Sequence, residues 1–121
     1  MTISVVIPTY RYDSLPNLRA AVRSLQTQTV KPEIIVVVGK DTRLYKEATD
    51  MPVDSVLMDP WNLGATHARN LGAESASGDI VAFLDDDEIA QPTWCAELLK
   101  LYDAMPCSGV GGMNRALWMC D

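Results

Sequence analysis

The chain has 121 residues, 48% hydrophobic and 21% charged, with 7 Gly and 7 Pro, the profile of one globular domain able to bury a core without disulfide or metal staples. Sixteen acidic against ten basic residues give a formal net charge of −6, and no Lys or Arg run could follow a phosphate backbone, so nucleic acid is excluded as the expected partner. The longest apolar runs, Ile34 to Val38 and Ile80 to Leu84, fall far short of the roughly 20 residues of a spanning helix, and the N-terminus lacks a signal peptide's basic and apolar regions.

Ile3-Ser4-Val5-Val6-Ile7, closed by Pro8, reads as a first buried strand. After a polar turn, Pro16 opens a helix whose Leu15, Leu18, Val22 and Leu25 recur at helical spacing, with Arg19 and Arg23 on another face. Ile34 to Val38 forms a second strand, stopped by Gly39. A short helix over Arg43 to Asp50 and a third strand over Ser55 to Met58 follow. Asn62 is placed to cap the next helix, whose Ala65, Ala68, Leu71, Gly72 and Ala76 offer a small-residue face that can lie close on a sheet. Ile80 to Leu84 is a fourth strand, halted by Asp85-Asp86-Asp87-Glu88. Pro92 opens a last helix, Thr93 to about Met105, and Gly109 to Met113 reads as a fifth strand.

Strands apolar on both faces that alternate with helices predict an α/β domain: a mostly parallel, Rossmann-like sheet with helices on both faces. In such sheets ligands bind beyond the carboxyl ends of the strands. The turns there hold Thr9-Tyr10-Arg11, Gly39-Lys40-Asp41, Asp59-Pro60-Trp61-Asn62 and Asp85 to Glu88.

Four carboxylates directly after a buried strand cost repulsion and desolvation unless something positive binds there. Mg²⁺ or Mn²⁺ fits an Asp-x-Asp spacing, since such ions take one or two carboxylates and complete their shell with water and substrate phosphates. The plainer alternative is a solvated loop with acids biased toward a helix start. Arg69 could brace a diphosphate or simply pair with these acids. Tyr10 could stack on a base or cover the first strand, and lone His67, without a second His to make a metal pair, reads as a surface or capping residue. Cys95, Cys107 and Cys120, odd in number and 12 and 13 residues apart, match neither a disulfide framework nor a metal knuckle and read as reduced, buried thiols of a cytoplasmic protein. The nucleophile elbow, the P-loop and the Gly-x-Gly-x-x-Gly fingerprint are absent.

With these residues placed, the chain resembles the nucleotide-sugar-binding half of family 2 glycosyltransferases of the GT-A fold. The likeness is carried by Ser4-Val5-Val6-Ile7-Pro8-Thr9-Tyr10, Glu33-Ile34-Ile35-Val36-Val37, Asn62-Leu63-Gly64-Ala65 running on to Ala68-Arg69-Asn70-Leu71-Gly72, and Gly78 to Asp87. It implies that Pro8, Thr9 and Tyr10 border the nucleobase and that Arg69 lies near the base or diphosphate. Asp85 and Asp87 would form the Asp-x-Asp metal motif, with Asp87 the direct ligand, Asp85 at the ribose or a metal-bound water, and Asp86 among the nucleotide contacts. It implies further an inverting transfer from a nucleoside diphosphate sugar, UDP being the first expectation ahead of GDP and dTDP, to a hydroxyl of a glycan, lipid or polysaccharide.

Two departures from that pattern stand out. Where the family usually has an Asp-Asp pair after the second strand, this chain reads Val38-Gly39, so Asp41 can contact the base only if its loop bends back. Relatives of this type are also about twice as long, and no residue of 1–121 is a candidate catalytic base. The chain is therefore expected to be a donor-binding region cut before the acceptor-binding part, with any membrane association belonging to a longer parent. A receiver-type phosphoacceptor domain, also acidic and of similar size, is disfavoured by motif order, because Pro8-Thr9-Tyr10 stands where its first acidic pair belongs and no Lys follows Lys100. A non-catalytic nucleotide-binding or interaction module is the remaining alternative.

Overall fold

A computed structural model describes the backbone of residues 1–104, 110–112 and 115–118, with side chains through residue 103. Six strands form one sheet in the order β3-β2-β1-β4-β6-β5. The strands are β1 (Ile3–Thr9), β2 (Glu33–Gly39), β3 (Ser55–Asp59), β4 (Ile80–Phe83), β5 (Val110–Gly112) and β6 (Arg115–Trp118). The first four run parallel, with Val5 level with Ile34 on one side and Ala82 on the other. The hairpin β5–β6 adds antiparallel to β4, so β6 separates β4 from the strand read as fifth. The mostly parallel sheet is as expected; the sixth strand was not anticipated.

Side chains of a strand point alternately to its two faces, and here both faces are covered. Ile3, Val5 and Ile7 of β1 and Ile34, Val36 and Val38 of β2 meet α1 (Leu15–Gln26), α2 (Thr42–Thr49) and α4 (Trp94–Ala104). Val6, Ile35, Val37 and Phe83 face α3 (Ala65–Ser75) through Ala68. Leu18 and Leu25 of α1 are fully buried, each contributing about 2 kcal/mol of transfer free energy. Gly72 sets the closeness of α3: a Cβ there would run into the Val6 side chain and stand 3.2 Å from Val37 Cγ2.

Two helix starts differ from the sequence reading. The structure begins α2 at Thr42, with Asp41 as its N-cap: Oδ1 accepts from the Arg43 and Leu44 N–H groups at 3.0 and 3.1 Å. In α3 the cap is Gly64, at φ 102°, and Asn62 does not cap; it sits two residues earlier in the left-handed region at φ 53°. The reason is Asp59, whose buried carboxylate accepts from the Trp61 and Leu63 N–H groups and folds the chain into a loop before the helix can start.

Cys95 is fully buried, and burial pushes its thiol up to about 12, as the reading of an inert small hydrophobe requires; Cys107 and Cys120 lie outside the described residues. The end of the predicted last helix at Met105 lies outside them too. Among the described residues no helix is long and apolar enough to cross a membrane.

Candidate donor site

The carboxyl ends of β1, β2, β3 and β4 lie side by side, and each delivers one turn to the same edge of the sheet. The acidic turn is tied at both ends. Leu84 N–H donates to the Val6 carbonyl at 3.1 Å, and Ala90 N–H to the buried Ser24 Oγ at 3.0 Å. Gln28, also buried, reinforces this by donating to the Gln91 carbonyl and accepting from Cys95 N–H. Between these anchors Glu88 N–H returns to the Asp85 carbonyl and Asp85 N–H to Glu88 Oε1, both at 3.0 Å, so that Asp85 to Glu88 forms a tight turn.

The three aspartates of that turn have different surroundings. Asp85 Oδ1 accepts from Arg69 Nη2 at 3.1 Å, which brings α3 and the acidic turn together; of the two expectations for Arg69 this is the pairing with the acids. Asp86 turns inward and accepts from Thr9 Oγ1 at 2.8 Å. Its pKa is raised, chiefly by burial and next by the charges of Asp87 and Asp85, against the Thr9 bond that lowers it. Asp87 is exposed. Thr9 is fully buried with its hydroxyl committed to Asp86, so its contribution is to place that carboxylate, and Pro8 is buried in β1.

At the end of β2 the absence of a side chain on Gly39 is used. A Cβ there would strike the Tyr10 ring and stand 2.7 Å from Asn62 Oδ1. Tyr10 therefore lies across the β2 terminus beside Asn62. Its hydroxyl is buried without a hydrogen-bond partner, and its pKa is raised by burial first and by Asp59 second, with Arg69 opposing. Asp41, the carboxylate considered as a substitute base contact, has one oxygen engaged in capping α2. Asn62, in a turn expected on the ligand side of the sheet, was given no role beyond capping, and His67 was read as a surface or capping residue; the signals that place them here are the left-handed turn and the buried Asp59, neither visible as a spacing pattern.

Among the described residues no three His, Cys, Asp or Glu side chains converge into a ready-made metal cage. The donor set instead fits a hard cation that takes one or two carboxylates from Asp85 and Asp87 and draws its other ligands from phosphate and water.

The α/β sheet thus gathers an acidic turn, an arginine and an aromatic at its carboxyl edge, the edge where sheets of this class bind their ligands. The chain belongs to glycosyl transferase family 2, whose family model matches residues 4–116. It is 33% identical to a glucosyl-dolichyl phosphate glucuronosyltransferase of Haloferax volcanii over 98% of its own length and 40% of that protein's. Among solved structures it is similar to the mannosyltransferase PcManGT of Pyrobaculum calidifontis in complex with GDP-Man and Mn²⁺, with a TM-score of 0.67 and 22% identity over 87% of this chain and 33% of that one. A second is S. aureus TarS 1-349 in complex with UDP, with a TM-score of 0.65 and 24% identity over 86% and 32%. These two likenesses establish the GT-A fold. The chain thus spans about two fifths of the length of the Haloferax relative and a third of each solved chain.

Proposed function

We propose that this chain is the donor-binding half of a metal-dependent, inverting nucleotide-sugar glycosyltransferase, a cytoplasmic protein acting on a hydroxyl of a glycan, lipid or polysaccharide acceptor. The observation that carries the reading is the meeting of Arg69 with Asp85 at the same sheet edge as exposed Asp87 and the Tyr10–Asn62 pair. Tyr10 and Asn62 frame the base and Asp85 faces the ribose. Arg69 stands where a diphosphate would lie, and Asp87 with Asp85 would hold Mg²⁺ or Mn²⁺. A cation bound there supplies neutralisation of the departing diphosphate.

In the transfer, the bond between the anomeric carbon and the diphosphate oxygen breaks as the acceptor oxygen bonds to that carbon from the opposite face. The acceptor's proton passes to a carboxylate base outside the residues described. What residues 1–104 contribute is binding, orientation and charge opposite the leaving group, which is where electrostatic stabilisation has its largest effect. UDP is the first nucleotide to test, with GDP and dTDP next. PcManGT, seen with GDP-Man and Mn²⁺, and TarS, seen with UDP, support a nucleotide donor and a cation in this fold.

Calorimetric titration of UDP, GDP and dTDP with and without Mn²⁺ tests the proposal. Metal-dependent binding is expected for at least one of them, and Asp87→Asn should weaken it by at least the roughly 10–100-fold that loss of a metal's outer partners costs. Unchanged binding in that variant would remove Asp87 from the metal role.

A further inference from the structure

The loop between β3 and α3 holds a polar pair that the donor reading leaves without a task. Asp59 is fully buried, and its oxygens receive Trp61 N–H at 3.1 Å and Leu63 N–H at 3.2 Å. Asn62 N–H adds a bond to the Asp59 carbonyl at 3.3 Å. Across from it, His67 Nε2 is buried, makes no hydrogen bond and stands 3.6 Å from Asp59 Oδ1. The imidazole also meets Trp61 edge to face, with ring centroids 6.0 Å apart and planes at 83°.

A buried carboxylate whose only neutralising contacts are backbone amides is an incomplete arrangement, since buried charge is ordinarily paired. The titratable groups that meet it are His67 on α3 and Tyr10 following β1, and Arg69 on α3 acts on the same Tyr10. Arg69 is drawn off to Asp85, and Tyr10 as a neutral phenol brings no positive charge. His67 is left as the counter-charge, a few tenths of an ångström beyond hydrogen-bond reach. Histidine gains its proton between pH 8 and 5, and an imidazolium donating to a carboxylate makes a shorter and stronger bond than the neutral ring.

The loop so held carries Asn62, whose Oδ1 packs on Gly39 beside the Tyr10 ring. Asn62 keeps a left-handed backbone, a conformation that persists only where the surroundings over-determine it. We propose that Asp59 and His67 are a positioning pair for the base side of the donor site: protonated His67 closes onto Asp59 and holds loop 59–64, and with it Asn62, against Gly39 and Tyr10. The inference rests on the donor reading for its consequence and on the loop's own geometry for the pair. Neither residue touches the nucleotide; both act through Asn62.

The test compares the full chain with His67→Gln, measuring UDP affinity at fixed Mn²⁺ from pH 8 to pH 6. Protonation of the phosphates and of the acidic turn affects both proteins alike and cancels in the ratio. The ratio of wild-type to variant affinity is expected to rise about five-fold toward pH 6, the difference between a charge-assisted and a neutral bond. Trp61 emission supplies a readout that needs no nucleotide: a step across the same pH range, lost in His67→Gln, in Asp59→Asn and in a Trp61→Phe control. A pH-independent affinity ratio, or a Trp61 step that survives in His67→Gln, would overturn the proposal. If the wild type binds none of the three nucleotides at any pH, the donor reading fails instead, and the Trp61 step alone decides whether the pair closes. His67→Asn serves as the second variant should the glutamine not fold.

Discussion

The two ends of the parallel sheet treat their carboxylates in opposite ways. At the end where the strands begin, Glu33 Oε1 accepts from Ser4 Oγ at 2.6 Å and from Ser77 N–H at 2.9 Å, and Asp54 accepts from Ile34 N–H at 2.7 Å. Asp79 accepts from both the N–H and the hydroxyl of Thr2. The Ser4 side chain holds Glu33 below the usual carboxylate range, and the Thr2 N–H does the same for Asp79. At the end where the strands finish, burial and the neighbouring Asp87 and Asp85 push Asp86 up, and Asp87 is left in solvent. Where acids are satisfied by the chain they clamp β1, β2 and the approach to β4 into register. The crowded acids of the turn, although Thr9 and Arg69 hold two of them, are the ones proposed above to meet a cation, and the contrast between the ends is one of like-charge crowding.

The clamped end should be the costlier one to disturb. Gly78 donates its N–H to Ser4 Oγ, and a Cβ at Gly78 would stand 2.7 Å from Ser4 N and 2.9 Å from the Ile3 carbonyl carbon, backbone atoms that cannot step aside. Gly78→Ala is expected to cost about 2–3 kcal/mol by chemical denaturation, the range of core overpacking, with nucleotide affinity per folded molecule unchanged. A neutral result would mean that this end of the sheet is pliable and that the contrast is one of charge alone.

Glu33→Ala is expected to follow at about 1–2 kcal/mol, since it leaves the buried Ser4 hydroxyl and the Ser77 N–H without their shared acceptor. The pH dependence has a definite sign. Because the folded-state pKa of Glu33 lies below its unfolded value of about 4.3, its stabilisation is complete above that pH and disappears as pH falls through the lowered value. Melting curves from pH 7 to pH 3 should therefore show wild type and variant converging in acid. A gap that persists at low pH would assign the loss to packing rather than to the ionised carboxylate.

How much of this was legible in the sequence follows the same division. Strands β1, β2 and β4 announced themselves as apolar runs, because burial on both faces leaves no polar alternation to read, whereas β3, half-buried along Ser55 to Met58, gave a weaker signal; the small residues of α3 predicted its close seat on the sheet. The acidic turn and Arg69 were visible because both sit next to elements with a strong period. The β3–α3 loop was not. Asn62 before a helical pattern satisfies every local rule for a cap, yet a tertiary fact, the burial of Asp59 at the end of β3, claims the next amides and moves the helix start to Ala65. His67 was set aside for want of a second histidine, which is a test for metal sites and blind to a carboxylate that the fold brings to 3.6 Å. The pairing of β6 between β4 and β5 is likewise a matter of topology, which short strands do not encode.

The smallest expected effect is the one that bears most directly on the contrast. In Asp86→Asn the amide oxygen can still accept from Thr9 Oγ1, now 2.8 Å from Asp86 Oδ2, so the inward contact is kept. What is removed is a part-buried negative charge flanked by Asp85 and Asp87. The variant should be more stable than the wild type by about 0.5 kcal/mol at pH 7, while its affinity for Mn²⁺ and nucleoside diphosphate falls because the turn attracts a cation less strongly. A gain in stability with a loss in binding is the signature of a group retained for function at some cost to the fold. Thermal melts read beside calorimetry on the same sample decide it. If Asp86→Asn destabilises the domain instead, the acidic turn is held together by its own hydrogen bonds as the opposite end is, and crowding of like charge is no guide to where this domain binds.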